Sequence, residues 1–252
     1  MSDQNFDSLA HKFTHNIYGT IKGQIRLEIL NRDLNKYTPL QSQKLRILDA
    51  GGGIGYLSRQ LAAQGHEVVL CDISDELLHK AQQEIEQFTP NISLQLLHCS
   101  IQKLPKNLGK FDLILCHAVL EWLEDGYQTL SKLQEFLSET GHFSLMFYNL
   151  EAQRFHALVC GNFSYINNGL KAKKTVRLTP QHAYLIQDIR KWFKEWQLTE
   201  VATSGVRVIN DYLKAGARQQ FNESELIDME LKYSTHPAYL ELGRYIHIIG
   251  SN

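Results

Sequence analysis

A glycine-rich turn and two aspartates have the types and spacing most indicative of chemistry in this sequence. Residues 49–55 read Asp-Ala-Gly-Gly-Gly-Ile-Gly after a short apolar run, and Asp72 ends a second apolar run. Glycines let a backbone approach a ligand closely and adopt conformations that other residues avoid. An acid that ends the next strand can accept hydrogen bonds from both ribose hydroxyls of a nucleoside. The spacing therefore predicts a nucleoside-binding corner at the carboxyl edge of a parallel sheet.

Two kinds of nucleoside cofactor compete for this corner. The dinucleotide fingerprint is Gly-x-Gly-x-x-Gly, whereas residues 51–55 give Gly-x-Gly-x-Gly and Tyr56 takes the place of the third glycine. The loop also follows a long, mainly helical stretch, and Asp49 in front of it suits the positioning of an ammonium group or of loop amides. These features favour S-adenosyl-L-methionine over a nicotinamide dinucleotide. The candidate cofactor ligands in this corner are Asp49, Gly51, Gly52 and Asp72.

The elements that must carry this corner alternate between strands and helices. The predicted strands cover residues 45–48, 67–72, 92–98, 111–116 and 142–148, and residues 201–209 and 244–249 are expected to form a last, antiparallel pair. The predicted helices cover residues 7–34, 56–63, 127–137 and 182–196, with a further helix from residue 75. Such alternation is typical of a doubly wound, parallel α/β sheet. We predict a single domain over residues 1–252, with an N-terminal helical region at 1–43 and an inserted cap at 150–180.

Composition limits the class of protein. The chain has 252 residues, 43% of them hydrophobic, which argues against disorder. No apolar run approaches the ~20 residues of a membrane span, and the N-terminus has no signal-peptide pattern. The cysteines Cys71, Cys99, Cys116 and Cys160 form no Cys-x-x-Cys pair and are expected to be reduced, buried thiols. We therefore expect a cytoplasmic protein with no metal site and no membrane partner.

Charge is distributed unevenly along the chain. The net charge is −1, but residues 151–220 hold 11 basic and 5 acidic residues, a local net charge of +6. The basic residues include a group of four, Lys171, Lys173, Lys174 and Arg177. A split of this kind indicates either a polyanionic partner on one part of the surface or a solvated helix face.

Several segments resemble a known family. Residues 48–55, 71–72, 111–114 and 117–122 look like the class I methyltransferase pattern across residues 44–149. That resemblance implies a Rossmann-like, doubly wound, seven-stranded, mostly parallel sheet with an antiparallel hairpin at its end. Segments over almost the whole chain resemble the bacterial tRNA 5-carboxymethoxyuridine methyltransferases more narrowly. They are residues 16–20, 22–24, 26, 49–53, 117–122, 144–149, 161–163, 205–208, 211–213 and 242–247.

The narrower resemblance implies both a reaction and site residues. The reaction is methyl transfer to the carboxylate of a modified uridine at the tRNA wobble position, giving a methyl ester in the anticodon stem-loop. The implied cofactor contacts are Arg26 with the cofactor carboxylate, Gly51 and Gly52 with the methionine portion, Asp72 with ribose, Ile101 and Gln102 with adenine, and His117 at the end of the fourth strand. The candidates for positioning the substrate are Tyr148, Arg207 and Arg244. The basic group would meet phosphates, and Phe163 and Tyr165 are candidates for stacking on bases.

The implied chemistry needs no general base. A carboxylate has a pKa far below 7, so the nucleophile is already ionised. Catalysis then depends on holding its oxygen in line with the methyl group and excluding water. Two alternatives stay open: a class I methyltransferase acting on a small quinone or carboxylic acid, and a non-catalytic module that binds cofactor or RNA. The sequence does not indicate an oligomeric state.

Overall fold

A central sheet of seven strands organises the protein, whose computed structural model describes residue 3, residues 19–170 and residues 180–252. The strands are β1 (Arg46–Ala50), β2 (Glu67–Asp72), β3 (Leu94–His98), β4 (Phe111–His117), β5 (Leu137–Tyr148), β6 (Thr199–Val206) and β7 (Tyr245–Ser251). Their order is β3-β2-β1-β4-β5-β7-β6. The first five are parallel, and β7 runs antiparallel to both β5 and β6, as the sequence predicts for the last pair.

Helices cover both faces of this sheet. Within the described residues they are α1 (Ile21–Tyr37), α2 (Tyr56–Ala63), α3 (Asp75–Phe88), α4 (Gly126–Gln134), α5 (Leu150–Val159), α6 (Phe163–Asn167), α7 (Ile186–Glu195) and α8 (Glu223–Tyr233). Successive side chains along each strand point to opposite faces of the sheet and therefore pack into separate cores. Phe143 and Phe193 lie in the core between the sheet and α4 and α7, whereas Ile47 and Leu61 lie in the core under α1 and α2.

Side-chain caps start the helices where the sequence provides them. Ser74 accepts a hydrogen bond from Leu77 N at 3.2 Å to cap α3, and Asp125 accepts one from Gln128 N at 3.0 Å to cap α4. Asn222 and Glu225 form a reciprocal capping box at α8. These caps fix where each helix leaves the carboxyl edge of the sheet.

Several predicted boundaries differ from the structure. The helix predicted at residues 127–137 ends at Gln134, because Leu137 already pairs with Phe111 and begins β5 before an irregularity in the ladder. The helix predicted from residue 182 starts only at Ile186, because Tyr184 forms a bridge with Asn149. The first helix extends to Tyr37, and the first part of its predicted range lies outside the described residues.

Two findings concern composition. All four cysteines are unpaired, but Cys160 is exposed and Cys99 is half-buried, so the expectation of four buried thiols is wrong for these two. Among the helices that the structure describes, none is both long and apolar enough to cross a membrane.

Candidate functional site

A cleft of about 590 Å³ opens at the carboxyl ends of β1, β2 and β4. In doubly wound sheets ligands bind at this edge, where neighbouring strands send their connections in opposite directions. Most of the residues that line the cleft lie at or just after the ends of strands. Among the described residues, the lining consists of Asp3, Gly51, Gly53, Cys71, Asp72, Ile73, Leu77, Cys99, Ile101, Gln102, Ala118, Val119, Trp122 and Leu123. The predicted cofactor ligands Gly51, Asp72, Ile101 and Gln102 therefore meet in one cavity.

The glycine loop, residues 49–55, needs its glycines for both conformation and space. Gly51 has φ +77°, and a Cβ there would lie 2.5 Å from Val119 Cγ2. A Cβ on Gly52 would lie 2.5 Å from Asp49 Oδ2, and Gly53 also has a positive φ of +58°. The left-handed region disfavours other residues. The loop therefore forms a cradle in which the backbone itself faces the cleft, as a close-fitting cofactor requires.

The two aspartates of the corner take different partners. Asp49 lies beneath the loop, where its Oδ2 accepts a hydrogen bond from Ser58 Oγ at 2.6 Å. Burial raises the pKa of Asp49 to about 6, and the Asp72 charge adds to the rise although the Ser58 bond opposes it. Asp72 accepts hydrogen bonds from Gly53 N at 2.9 Å and Ser74 N at 2.8 Å. Asp49 thus connects the loop to α2. Asp72 lies at the cleft surface, and its contact with ribose stays a prediction.

The predicted adenine side of the cleft is formed after β3. Ile101 is buried and lines the cavity, and Gln102 lies beside it. Gln102 Nε2 donates to Asp3 Oδ2 at 2.7 Å and to Thr129 Oγ1 at 3.0 Å. The amide of Gln102 is therefore already oriented at the cleft, and its contact with adenine stays a prediction.

His117 ends β4 beside this cleft. Its Nε2 lies 2.8 Å from Ser144 Oγ, and its ring meets the His247 ring edge-on with centroids 5.5 Å apart. Burial lowers the pKa of His117 well below 6.5, and the positive charge of Arg26 lowers it further. The next residue, Ala118, has φ +58°, a strained conformation of the kind that accumulates at functional sites.

Three arginines converge on two tyrosines at the neighbouring part of the same edge. This arginine cluster comprises Arg26, Arg207, Arg244, Tyr148 and Tyr245. The guanidinium carbons of Arg26 and Arg207 lie 5.1 Å and 5.4 Å from the centroid of the Tyr245 ring. Arg244 lies 5.1 Å from the Tyr148 ring, and the two tyrosine rings meet edge-on at 5.5 Å. The structure thus brings together all three predicted substrate-positioning residues and adds Arg26 and Tyr245.

Two arginines of the cluster have no carboxylate partner among the residues that the structure describes. Arg207 Nε lies 2.8 Å from Asp211 Oδ2, but within the described residues neither Arg26 nor Arg244 has an acidic partner within 4 Å. Arg26 Nε is buried without a hydrogen-bond partner in that part of the chain. Both arginines are half-buried, and a buried polar atom without a partner costs free energy that a bound anion would remove. Two arginines of the cluster are therefore available for two ligand carboxylates.

A buried acid separates the cleft from the cluster. Glu121 is 0% exposed, and neither of its carboxylate oxygens makes a hydrogen bond of normal geometry among the described residues. Burial raises the pKa of the Glu121 carboxyl to about 7, although Arg26 and the backbone N–H groups of Glu121 and Tyr148 lower it. The acid therefore offsets part of the charge of Arg26 without forming an ion pair with it.

A second buried acid holds Arg207 in place. Glu230 on α8 accepts hydrogen bonds from the backbone N–H groups of Val208, Ile209 and Asn210 at 2.8, 3.1 and 2.7 Å. These bonds fix the turn after β6, in which Arg207 has φ +64°. The strained backbone is thus stabilised from α8, and it directs the Arg207 side chain over Tyr245.

The structure describes only some of the residues predicted to contact nucleic acid. Lys171, Lys173, Lys174 and Arg177 lie outside the described residues. Phe163 at the start of α6 is 60% exposed, whereas the Tyr165 hydroxyl accepts a hydrogen bond from Gln153 Nε2 at 2.7 Å. Of the two aromatic candidates, Phe163 is the one whose ring is open to a partner.

Sequence reasoning missed Tyr245, Glu121 and Glu230. Tyr245 and Glu121 both lie within segments that resemble the family. That position, together with the aromatic ring of Tyr245 and the charge of Glu121, could have marked them as candidates. Glu230 gave no such signal, because its role depends on a turn that packs against α8 only in the folded chain.

The chain is similar to several known proteins. The model of a family described as a methyltransferase domain matches residues 41–202. The tRNA 5-carboxymethoxyuridine methyltransferase of Escherichia coli (strain K12) is 40% identical over 98% of this chain and 96% of that protein. The ubiquinone biosynthesis O-methyltransferase of Coxiella burnetii (strain RSA 331 / Henzerling II) is 28% identical over 63% of this chain and 62% of that protein.

Solved structures show the same fold. A crystal structure of magnesium protoporphyrin IX methyltransferase from Synechocystis PCC 6803 with bound SAH superimposes with a TM-score of 0.65. The match covers 98% of this chain and 96% of that one at 18% identity. The likeness supports the Rossmann-like sheet and leaves the substrate to other observations.

Proposed function

Since the chain belongs to the class I S-adenosylmethionine-dependent methyltransferases, in the family of the tRNA 5-carboxymethoxyuridine methyltransferase, we propose which acceptor it methylates. The proposed acceptor is the carboxylate of 5-carboxymethoxyuridine at the wobble position of tRNA. The product is the methyl ester of that carboxylate. S-adenosylmethionine supplies a methyl group that is already activated by its sulfonium.

The observation that carries this proposal is the pair of arginines, Arg26 and Arg244, for which the described part of the chain holds no acidic partner. The reaction brings two carboxylates to the edge of the sheet, one on the cofactor and one on the modified uridine. Arg26 lies beside His117 and Glu121, next to the cofactor cleft, and is assigned to the cofactor carboxylate. Arg244 lies over Tyr148 and is assigned to the uridine carboxylate. A guanidinium suits this task because it can bind a carboxylate through two parallel hydrogen bonds.

The tyrosines supply neutral hydrogen-bond donors beside the arginines. Burial raises the pKa of Tyr148 to about 12, and burial likewise raises the pKa of Tyr245. Both phenols therefore keep their protons near neutral pH. Donors of this kind limit the cost of removing a carboxylate from water without taking away its nucleophilic charge. The chain's contribution is thus to orient the acceptor oxygen and to exclude water.

The tRNA itself would meet the cap. We assign Lys171, Lys173, Lys174 and Arg177 to phosphate contacts, which position a nucleic acid without reading its sequence. The exposed ring of Phe163 is assigned to stacking on an unpaired base of the anticodon loop. Replacing the three lysines should weaken binding and flatten its dependence on salt, whereas equal binding of both proteins at low and high salt would discard this patch.

A small acceptor is the alternative, and the comparisons weigh against it. The match to the quinone-modifying relative covers 63% of this chain, and the methyltransferase-domain match ends at residue 202. Arg207 and Arg244 lie beyond that limit, yet the tRNA-modifying relative matches 98% of the chain. The part of the chain beyond the general methyltransferase-domain match therefore supplies two arginines of the cluster.

Nucleoside mass spectrometry of tRNA from cells lacking this protein tests the proposal. The methyl ester should disappear and its free acid should accumulate, and the wild-type gene should restore the ester. An unchanged nucleoside profile would contradict the proposal and would favour a small-molecule acceptor instead.

A further inference from the structure

A line of polar side chains leads from His117, beside the cofactor cleft, across β5 and β7 to α1. His117 Nε2 lies 2.8 Å from Ser144 Oγ, which lies 2.8 Å from His247 Nε2. His247 Nδ1 in turn lies 2.9 Å from Asp33 Oδ2. Ser144 and Asp33 are 0% exposed and His247 is 1% exposed. We call this line of four side chains the histidine relay.

The far end of the relay sets the direction of its first two hydrogen bonds. Arg32 donates to Asp33 Oδ1 through Nε at 2.9 Å and Nη2 at 2.7 Å, so Asp33 is an ionised carboxylate that can only accept. His247 Nδ1 must therefore donate to it. Arg32 already balances the charge of Asp33, and a second cation in this buried place would be costly, so we assign the neutral form to His247 in the relay. Its Nε2 then has no proton and must accept from the Ser144 hydroxyl.

The near end follows from the same logic. The Ser144 hydroxyl donates its one proton to His247, so its oxygen accepts from Nε2–H of His117. The low pKa of His117 keeps that ring neutral, and a neutral imidazole carries only one N–H. Nδ1 of His117 is therefore a bare acceptor, and it has no hydrogen bond within the described part of the chain.

We propose that Asp33, His247 and Ser144 are positioning residues that hold His117 as its Nε2–H tautomer, so that Nδ1 accepts a hydrogen bond from the ammonium group of S-adenosylmethionine. The amino-acid end of that cofactor carries a carboxylate, for which Arg26 is available, and an ammonium group, which needs an acceptor. The opposite tautomer of His117 would present an N–H to another N–H. The inference rests on the cofactor and is independent of the nucleic-acid substrate.

One substitution should reverse the whole relay while keeping its shape. In Asp33→Asn the two donors of Arg32 keep the amide oxygen on their side, and the amide NH₂ then faces His247 Nδ1. That nitrogen becomes an acceptor, so the His247 proton moves to Nε2 and the Ser144 hydroxyl turns toward His117. His117 must then carry its proton on Nδ1.

NMR of the protein labelled with ¹⁵N-histidine reads these tautomers directly. The His117 signals are assigned from their absence in His117→Gln. The wild type should show a protonated Nε2 and an unprotonated Nδ1 at His117, and Asp33→Asn should show the reverse. A wild-type ring protonated on Nδ1, or a His117 tautomer that is the same in both proteins, would overturn the proposal.

Calorimetry with two ligands separates positioning from mere packing. The first ligand is S-adenosylhomocysteine and the second is its analogue without the amino group. Asp33→Asn should weaken binding of the first by about tenfold or more, the scale of one hydrogen bond to a charged group, and leave the second nearly unchanged. An equal loss for both ligands would mean a structural role and would contradict the inference.

Matched variants complete the test. Asp112→Asn changes an acid at the opposite edge of the sheet, where Asp112 Oδ2 accepts from Arg46 N at 2.8 Å, and it should affect neither ligand. If Asp33→Asn does not fold, Ser144→Ala replaces it. That variant leaves His117 free to adopt either tautomer, so it should show a smaller loss, again confined to the ligand with the amino group. No selective loss in Ser144→Ala would reject the relay.

Discussion

The cofactor corner and the arginine cluster lie at the same edge of the sheet but are built in opposite ways. The corner is a contiguous turn, residues 49–55, whose backbone faces the cleft and in which Gly51, Gly52 and Gly55 leave no room for a Cβ. The cluster is made of side chains from α1, β5, β7 and the turns that flank β6 and β7. The corner should therefore be sensitive to added atoms, and the cluster to removed charge.

The largest expected effect comes from adding a side chain in the corner. Gly51→Val combines a disfavoured backbone conformation with a contact of 2.5 Å to Val119. The variant should bind S-adenosylhomocysteine at least about 100-fold more weakly by calorimetry. Gly65→Ala is the control, because Gly65 also has a positive φ (+97°) but has open space around it. That variant should lose some stability and keep its affinity; an equal loss of affinity in both would refute the steric account.

Removing a charge from the cluster should give the next largest effect. Arg244→Gln should lower kcat/KM on tRNA by about 50-fold, the scale of a charge-assisted pair, and leave the dissociation constant of S-adenosylhomocysteine unchanged. Arg190→Gln is the matched control, since Arg190 pairs with Glu200 at 2.8 Å on another surface. If Arg244→Gln weakened cofactor binding as much as turnover, the two regions would not be separable.

Glu121 lies between the two regions and should make the free energy of unfolding depend on pH. Its folded pKa of about 7 lies above its ordinary value of 4.5, so at intermediate pH the folded protein holds a proton that the unfolded chain has released. The free energy of unfolding should therefore fall as pH rises from about 4.5 to about 7. Glu121→Gln should reduce this fall to the part that Asp49 contributes, and it should be about 3 kcal/mol more stable than wild type at pH 8.

Urea unfolding at pH 5 and pH 8 measures that difference. Glu86→Gln, which changes an exposed acid on α3, should follow the wild type at both values. A Glu121→Gln protein that keeps the wild-type pH dependence would show that the buried acid is ionised throughout and is compensated by Arg26.

The smallest expected effect concerns the support of Arg207. Glu230→Gln keeps one accepting oxygen but loses the bond from Val208 N, so the turn that carries Arg207 should loosen. We expect kcat/KM on tRNA to fall about fivefold, with cofactor affinity unchanged. Asp228→Asn, an exposed change on the same helix, should leave both constants as they are. Equal rates for Glu230→Gln and wild type would mean that the turn holds without its acid.

The sequence predicts the corner better than the cluster for a physical reason. Helix α2 and strand β2 have the predicted bounds, because a glycine turn and a terminal acid mark them locally. The start of β5 was predicted too late, because residues 137–141 enter the strand only through an irregular ladder with β4. Local patterns report short-range structure and do not report such long-range pairing.

Cluster and relay depend on contacts between distant parts of the chain. Arg207 adopts a left-handed backbone conformation although it is not glycine, so the residue type at this position does not predict the turn. Asp33 and His247 are 214 positions apart and are joined only by the packing of α1 on the sheet. The family-like segments pointed to Arg26, Arg207 and Arg244. Which of these arginines has a carboxylate partner among the described residues could be read only from the structure.

Transfer of a labelled methyl group by the purified protein tests the central claim most directly. The protein is incubated with tRNA from cells that lack it and with S-adenosylmethionine carrying a ¹³C-methyl group, and the nucleosides are analysed before and after mild alkali. The account predicts label on 5-carboxymethoxyuridine that alkali releases, as expected for a methyl ester formed at a carboxylate. Label that resists alkali, label on another nucleoside, or no label at all would contradict it.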